Sequence, residues 1–208
     1  MTAATGPAPA RLTRARQRTR DQLVAAAMRV FARHGYAGAS VDAIAEEAGY
    51  TVGALYSNFA TKHDLFLAAF EQHCAGEVAA LRALTEAATS REELLAAVIP
   101  RFTELNQEQR EAWQLWTELR LYAQRHPEAA QRMAAVQAEA RDAIARALGR
   151  DGEPLPGEVA ALVHALWNGF MLYRLISPEA VSPDALGRAV GWLLDGSQAG
   201  QMRKGQQR

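Results

Sequence analysis

The residues able to act on another molecule are concentrated between Ser40 and Lys62. The run SVDAIAEEAGYTVGALYSNF, from Ser40 to Phe59, offers hydroxyls at Ser40, Thr51, Tyr56 and Ser57 and an amide at Asn58, and Lys62 follows three residues later. No residue in the run is equipped for covalent chemistry. What the run can do is lay a helix end into a DNA groove and hold it there by contacts to phosphate. Elsewhere, His34, His63, His73, His126 and His164 include no pair at i, i+4 with a carboxylate, the spacing a helical zinc site requires. No G-x-S-x-G, Walker or dinucleotide glycine motif occurs. Catalytic residues, metal ligands and cofactors are therefore not expected.

Elements that could position these groups are legible around them. Ser40 is a good N-cap, and Val41, Ile44, Ala45 and Ala48 then recur at helical spacing. Gly49 supplies the positive φ that stops a helix. Thr51 can cap a second helix, whose apolar stripe is Val52, Leu55 and Phe59; Thr51, Ala54, Ser57 and Asn58 fall on its other faces. Two short helices and a glycine turn form a helix-turn-helix, whose second helix enters the major groove. Taken alone, the pattern also fits a hairpin that merely packs. Its surroundings favour the first reading. Thr19 and Gln22 predict the start of an amphipathic helix with Leu23, Ala27, Val30, Phe31 and His34 on one face, ending at Gly35. Thr61 and Asp64 predict the start of a long helix with Leu65, Phe66, Ala69, Phe70 and His73 inward.

The run AAMRVFARHGYAGASVDAIAEEAGYTVGALYSNFATKHDLF resembles the N-terminal domain of the tetracycline-repressor (TetR) family. The resemblance rests on Phe31, Gly35, Ile44, Ala45, Ala48, Gly49, Gly53, Leu55, Tyr56, Phe59, Lys62 and Leu65, and covers roughly residues 18 to 75. It implies an all-α protein: a three-helix DNA-binding domain followed by a helical ligand-binding and dimerisation domain. It also implies roles at matching positions. Ser40 contacts phosphate, and Thr51 sits at the recognition-helix N-terminus, where the dipole favours an anion. Gly53 permits close backbone approach, Tyr56 places its phenol on a phosphate, and Lys62 neutralises another.

The chain departs from the family pattern at two positions. Val52 stands where a polar or basic residue is common, and Tyr50 where a small aliphatic is usual. With no Arg or Lys, the recognition helix lacks the bidentate guanine contact. Val52 and Ala54 can touch thymine methyls, and Thr51, Ser57 or Asn58 can reach base edges. Readout per half-site is expected to be modest, with DNA shape and symmetry adding to it.

The 23 basic and 23 acidic residues balance, but unevenly along the chain: residues 1–62 carry net +4 and the remainder net −4. Positive charge belongs where phosphates are, since each one neutralised releases counterions. Residues 1–18, with arginine at every second or third position from Arg11, are expected to form a disordered basic arm. It either enters a narrow minor groove or attracts phosphate diffusely. The domain boundaries expected are 19–75 for DNA binding, 76–196 for regulation and dimerisation, and 197–208 for a disordered tail. The arm has no apolar core of a secretory signal, and one cysteine, Cys74, excludes an internal disulfide. Both fit a cytoplasmic protein. Cys74 reads as a core residue, with a redox thiol as the alternative. The most apolar stretch, Val159 to Ile176, is broken by His164, Asn168 and Arg174 and reads as a buried helix rather than a membrane span.

Residues 76–196 read as helical throughout, giving about nine helices in all. Helices are predicted from Ser90 to about Leu105, Gln109 to Arg125, Pro127 to Leu148, Pro156 or Gly157 to Ile176, and Pro183 to Asp195. Phe102, Trp113, Trp116, Tyr122, Trp167, Phe170 and Tyr173 predict either a pocket for an apolar or aromatic small molecule or simple core packing, with Glu118, His164 and Asn168 supplying polarity to a pocket. WQLWTELRLYAQR, from Trp113, resembles a regulatory-domain subgroup of the family whose ligands are diverse. The last two helices carry more apolar surface than one small domain needs, with small residues such as Ala161, Ala165 and Gly169 allowing close approach. The resemblance implies that they form a four-helix homodimer interface, as a two-fold DNA operator requires.

Overall fold

The computed structural model describes residues 14–150 and 152–205. Among these the protein forms nine helices and no strand: α1 (Arg14–Gly38), α2 (Val41–Ala48), α3 (Val52–Asn58), α4 (Lys62–Ala87), α5 (Arg91–Thr103), α6 (Gln107–Ala123), α7 (Pro127–Ala147), α8 (Gly157–Ile176) and α9 (Pro183–Gly205). The chain divides into two compact units, Met1–Ala69 and Phe70–Arg208. The division falls inside α4, six residues before the expected boundary at 75.

The first unit is built on the apolar stripes read in the sequence. Leu23, Ala27, Val30 and Phe31 of α1, Ile44 and Ala45 of α2, Leu55 of α3, Phe59, and Leu65 and Phe66 of α4 are all buried. Phe66 packs at 5.0 Å from the Phe31 ring and stacks at 4.8 Å on Tyr36. His34, expected on the inner face of α1, is exposed. Gly35, expected to end the first helix, is instead a kink at φ 65° after which α1 continues to Gly38.

Among the described residues, helix extends further towards both ends than expected. α1 begins at Arg14, so Thr19 is an interior residue whose hydroxyl donates to the Ala15 carbonyl at 3.2 Å instead of capping. Arg14, Arg16 and Arg18 are therefore helical; residues 1–13 of the expected arm lie outside the described residues. α9 passes Ser197 and reaches Gly205. Gln, Ala, Met, Arg and Lys are strong helix formers, and no proline follows Pro183 to stop them.

In the second unit, α5 to α9 close on Leu94, Trp113, Leu148, Val163, Phe170, Met171, Leu186, Val190 and Leu194. Ser90 caps α5 through the Glu93 amide at 3.1 Å, and Pro127 opens α7. Asn106 and Gln109 form a reciprocal capping box that starts α6 at Gln107, two residues earlier than predicted.

α8 is not the buried helix expected. It is long and apolar enough to cross a membrane by length and composition, with a mean hydropathy of 1.4, but it buries only Ala160, Val163, Phe170 and Met171. Leu162, Ala165, Gly169, Leu172, Tyr173 and Ile176 form an exposed face at helical spacing, and Trp192 of α9 is exposed as well.

Candidate nucleic-acid interface

α2 and α3 are held by local chemistry that the sequence specifies. The Ser40 hydroxyl accepts from the Ala43 amide at 3.1 Å. At the other end of α2, Gly49 is left-handed (φ 72°, ψ 28°); its amide donates to Glu46 at 3.0 Å and that of Tyr50 to Ala45 at 2.9 Å. This crossed pair is a Schellman motif, and it turns the chain sharply into α3. Thr51 caps α3 by accepting from the Ala54 amide at 3.1 Å. Leu55 and Phe59 are buried and anchor α3 from one side.

The remaining faces of α3 are open. Ser40, Thr51, Gly53, Tyr56 and Ser57 are exposed, Tyr56 by 50%. Val52, Ala54, Asn58 and Lys62 are half-buried. A Cβ placed on Gly53 would meet only the Thr51 hydroxyl, at 3.8 Å, so the protein itself does not require glycine there. The Ser57 hydroxyl donates to the Ala54 carbonyl at 2.8 Å and accepts from Asn58 Nδ2 at 3.3 Å. Asn58 differs from the expected base reader: its Nδ2 turns back onto the Ala54 carbonyl at 2.9 Å, and its Oδ1 is buried with no hydrogen-bond partner. Lys62 Nζ lies 4.3 Å above the Tyr36 ring, which steers the ammonium at the start of α4.

Sequence reasoning missed three groups around this surface. Tyr50 donates its phenol to Gln22 Oε1 at 2.6 Å, tying the turn to α1. Glu47 accepts from Arg29 at 2.7 Å and Arg33 at 2.6 Å, and these bonds hold its carboxyl below the usual range. Arg16 Nη2 donates to the Ser57 carbonyl at 2.8 Å, and Arg20 Nη1 to that of Asn58. The i, i+4 spacing of Arg16 and Arg20 was the available signal, hidden by reading Arg16 as part of a disordered arm.

The residues expected to hold an effector fall into separate groups in the second unit. Trp167 donates its indole N–H to the Phe102 carbonyl at 3.0 Å, meets Trp113 edge-on at 5.2 Å and stacks over His164. Arg120 donates to Asn168, whose Nδ2 donates to the His164 carbonyl at 2.8 Å. Burial, with Arg141 and Arg120 nearby, pushes His164 down to about 4, so the ring is neutral. Trp116 packs against Phe70 and His73 instead. Tyr122 stacks on exposed His126, and Glu118 is exposed. Phe170 is a core residue beside Arg174.

None of these nine lines either of two open pockets seen among the described residues of this unit. One, of about 1000 Å³, lies among α5, the end of α8 and α9, lined by Leu95, Ile99, Leu105, Arg101, Arg174 and Arg188 among others. The other, of about 360 Å³, lies between α4 and α7 and includes Cys74. Burial, aided by Glu77 and Glu71, pushes the Cys74 thiol up to about 12. A thiol that stays protonated is a poor redox sensor.

Comparison with known proteins agrees with this geometry. The chain is 39% identical over 84 residues to the transcriptional activator FasR of Mycolicibacterium smegmatis, a match spanning 40% of this chain and 38% of FasR. It is 39% identical over 69 residues to the transcriptional repressor AcnR of Corynebacterium diphtheriae, covering 32% of this chain and 36% of AcnR. The matches thus span well under half the length of these curated relatives. Its fold is that of a transcriptional regulator from Rhodococcus sp. Rha1, with a TM-score of 0.65 at 23% identity over 87% of this chain and 96% of that one. It is also that of the transcriptional regulator FadR from Bacillus subtilis, solved in complex with stearoyl-CoA, with a TM-score of 0.64 at 22% identity over 84% and 96%. Residues 23–69 match the family described as bacterial regulatory proteins, tetR family, and residues 89–196 the tetracyclin repressor-like C-terminal domain. With a capped, polar-faced α3 in the first unit and a matching helical second unit, the chain belongs to the TetR family of transcriptional regulators.

Proposed function

We propose that the protein is a ligand-responsive repressor that binds a palindromic operator as a homodimer and is released by a small apolar or aromatic effector. The observation that carries the reading is the pairing of two exposed surfaces. The exposed hydroxyls of Thr51, Tyr56 and Ser57 flank an unobstructed Gly53, and the face of α8 from Leu162 to Ile176 is apolar and exposed. Phosphate and base edges suit the first; a second copy of α8 and α9 suits the second, because a two-fold interface is self-complementary. Dimerisation delivers two α3 helices to half-sites roughly 34–36 Å apart.

The site residues proposed for DNA are Ser40, Thr51, Val52, Gly53, Ala54, Tyr56, Ser57 and Lys62, with Asn58 in a supporting role. For the effector, the proposed residues that lie together are Phe102, Trp113, His164, Trp167 and Asn168, a packed cluster that a ligand has to open in order to bind. Trp116, Glu118 and Tyr122 lie apart from it. In this reading an effector entering the second unit shifts α4, the helix that runs through both units, and so changes the spacing of the α3 pair. Ligand and operator then oppose each other reciprocally, typically by about 1–3 kcal/mol. A stearoyl-CoA complex of the same fold supports an apolar effector for this class of domain.

Activation is the second reading, favoured by the similarity to FasR, an activator. The DNA contacts are the same; operator position relative to the promoter separates the two. The test is fluorescence anisotropy with the DNA flanking the protein's own gene, across a salt series. Two-fold-symmetric, sequence-dependent binding that weakens steeply with salt is expected. Binding indifferent to sequence in every flanking segment would count against autoregulation through a palindrome.

A further inference from the structure

We propose that Arg16 and Arg20 are specificity-determining positioning residues: from α1 they grip the C-terminal end of α3 and set the angle at which α3 meets the bases. The inference rests on the reading of α3 as the recognition helix.

α3 spans only seven residues, Val52–Asn58. A helix that short is unstable in isolation and takes its position from what holds it. Its start is fixed by the Thr51 cap and its inner side by Leu55 and Phe59. Its last carbonyls need partners, which a helix often supplies from its own terminal Lys or Arg. The last turn of α3 has no basic residue. Two arginines one turn apart on α1 supply the bonds from outside, Arg16 to Ser57 and Arg20 to Asn58. The Arg20 guanidinium also lies 4.1 Å from the centre of the Phe59 ring, so one planar group both bonds the end of α3 and covers its buried anchor. Lysine cannot do both, having a point charge without a planar fork.

The grip matters because the reader is weak. Without Arg or Lys on α3, discrimination comes from hydroxyls and methyl contacts, short groups that tolerate little displacement. A tilt of α3 about its fixed N-terminus moves Ser57 most. Losing either arginine therefore costs sequence discrimination, not general attraction to DNA.

The experiment uses the full-length protein and a duplex that the wild type enriches from a randomised pool, with a scrambled duplex as the non-specific reference. Affinities of wild type, Arg20→Gln, Arg20→Lys and Arg16→Gln are measured by anisotropy across a salt series, with circular dichroism confirming helix content. For each variant, including Arg20→Lys, the ratio of specific to non-specific affinity should fall by about 10-fold or more, with the salt slope unchanged. Equal losses on both duplexes with the slope reduced by about one would mean a direct phosphate contact and overturn the proposal. An unchanged ratio, or full rescue by lysine, would overturn it too. Should Arg20→Gln unfold, Arg16→Gln decides by the same criteria. If the wild type enriched no sequence at all, the recognition-helix reading itself would fall.

Discussion

His164 should make the regulatory unit lose stability between neutral and mildly acid pH. The imidazole has an ordinary value of 6.5 and is pushed down to about 4, chiefly by burial and further by Arg141 and Arg120. A base whose pKa is depressed on folding is neutral in the native state and free to take a proton in the unfolded one. Its stability contribution is thus full above 6.5, falls as pH drops towards about 4, and is level below that. Integrating the proton difference from about pH 7.5 to about pH 5 gives a loss of about 2 kcal/mol. That is a ceiling, because the ring keeps some contact with water. His73 is lowered in the same direction by burial and adds to the slope. Glu47 and Glu93 are lowered carboxylates whose contributions are lost only as pH falls through the carboxylate range, outside this window. The four tryptophans all lie between Trp113 and Trp192, so urea unfolding followed by indole fluorescence reports the regulatory unit. At one fixed protein concentration, the stability of His164→Gln should fall by about 2 kcal/mol less than wild type over that pH range. The slope is the readout, since loss of the stack on Trp167 offsets stability equally at every pH. Parallel slopes for the two proteins would refute a buried neutral His164.

Other perturbations follow from the same structure. Gly53→Ala should leave the protein as stable or about 1 kcal/mol more stable by thermal melting, because its Cβ has room, yet weaken operator binding about 10-fold or more in anisotropy. Ile176 is 87% exposed on the apolar face of α8, and a two-fold axis counts each substitution twice. Ile176→Asp should therefore weaken the dimer by about 4 kcal/mol or more, roughly 1000-fold in sedimentation equilibrium; an unchanged dimer would place the interface elsewhere. Cys74, pushed up to about 12, should resist iodoacetamide near neutral pH and react only once the protein is unfolded, as read by mass spectrometry.

Much of the first unit was legible because its determinants are local. Ser40, Gly49, Thr51 and the Thr61–Asp64 pair act within a few residues of themselves, and each makes the cap or turn its type predicts. The apolar stripes of α1 to α4 were readable for the same reason, since helical period alone decides which residues share a face. His34 escaped this logic because it lies at the edge of the stripe, where the neighbouring helix decides exposure. Asn58 escaped it because its amide had two uses, a base edge or the Ala54 carbonyl, and sequence does not rank them. The aromatic residues of the second unit were assembled as one set from composition, although helix rotation sends Trp113 and Trp116 to different neighbours.

The sequence by itself determined the helix-turn-helix, the family, the all-helical second unit and the absence of a guanine-reading side chain on α3, because these depend on residue type and short-range spacing. The tertiary structure alone decided that Arg16 and Arg20 hold the end of α3, that His164 is kept neutral, and that α8 leaves an apolar face open. Each of these joins groups far apart in the chain, or depends on how much water a neighbouring helix removes, and neither quantity is written in local sequence.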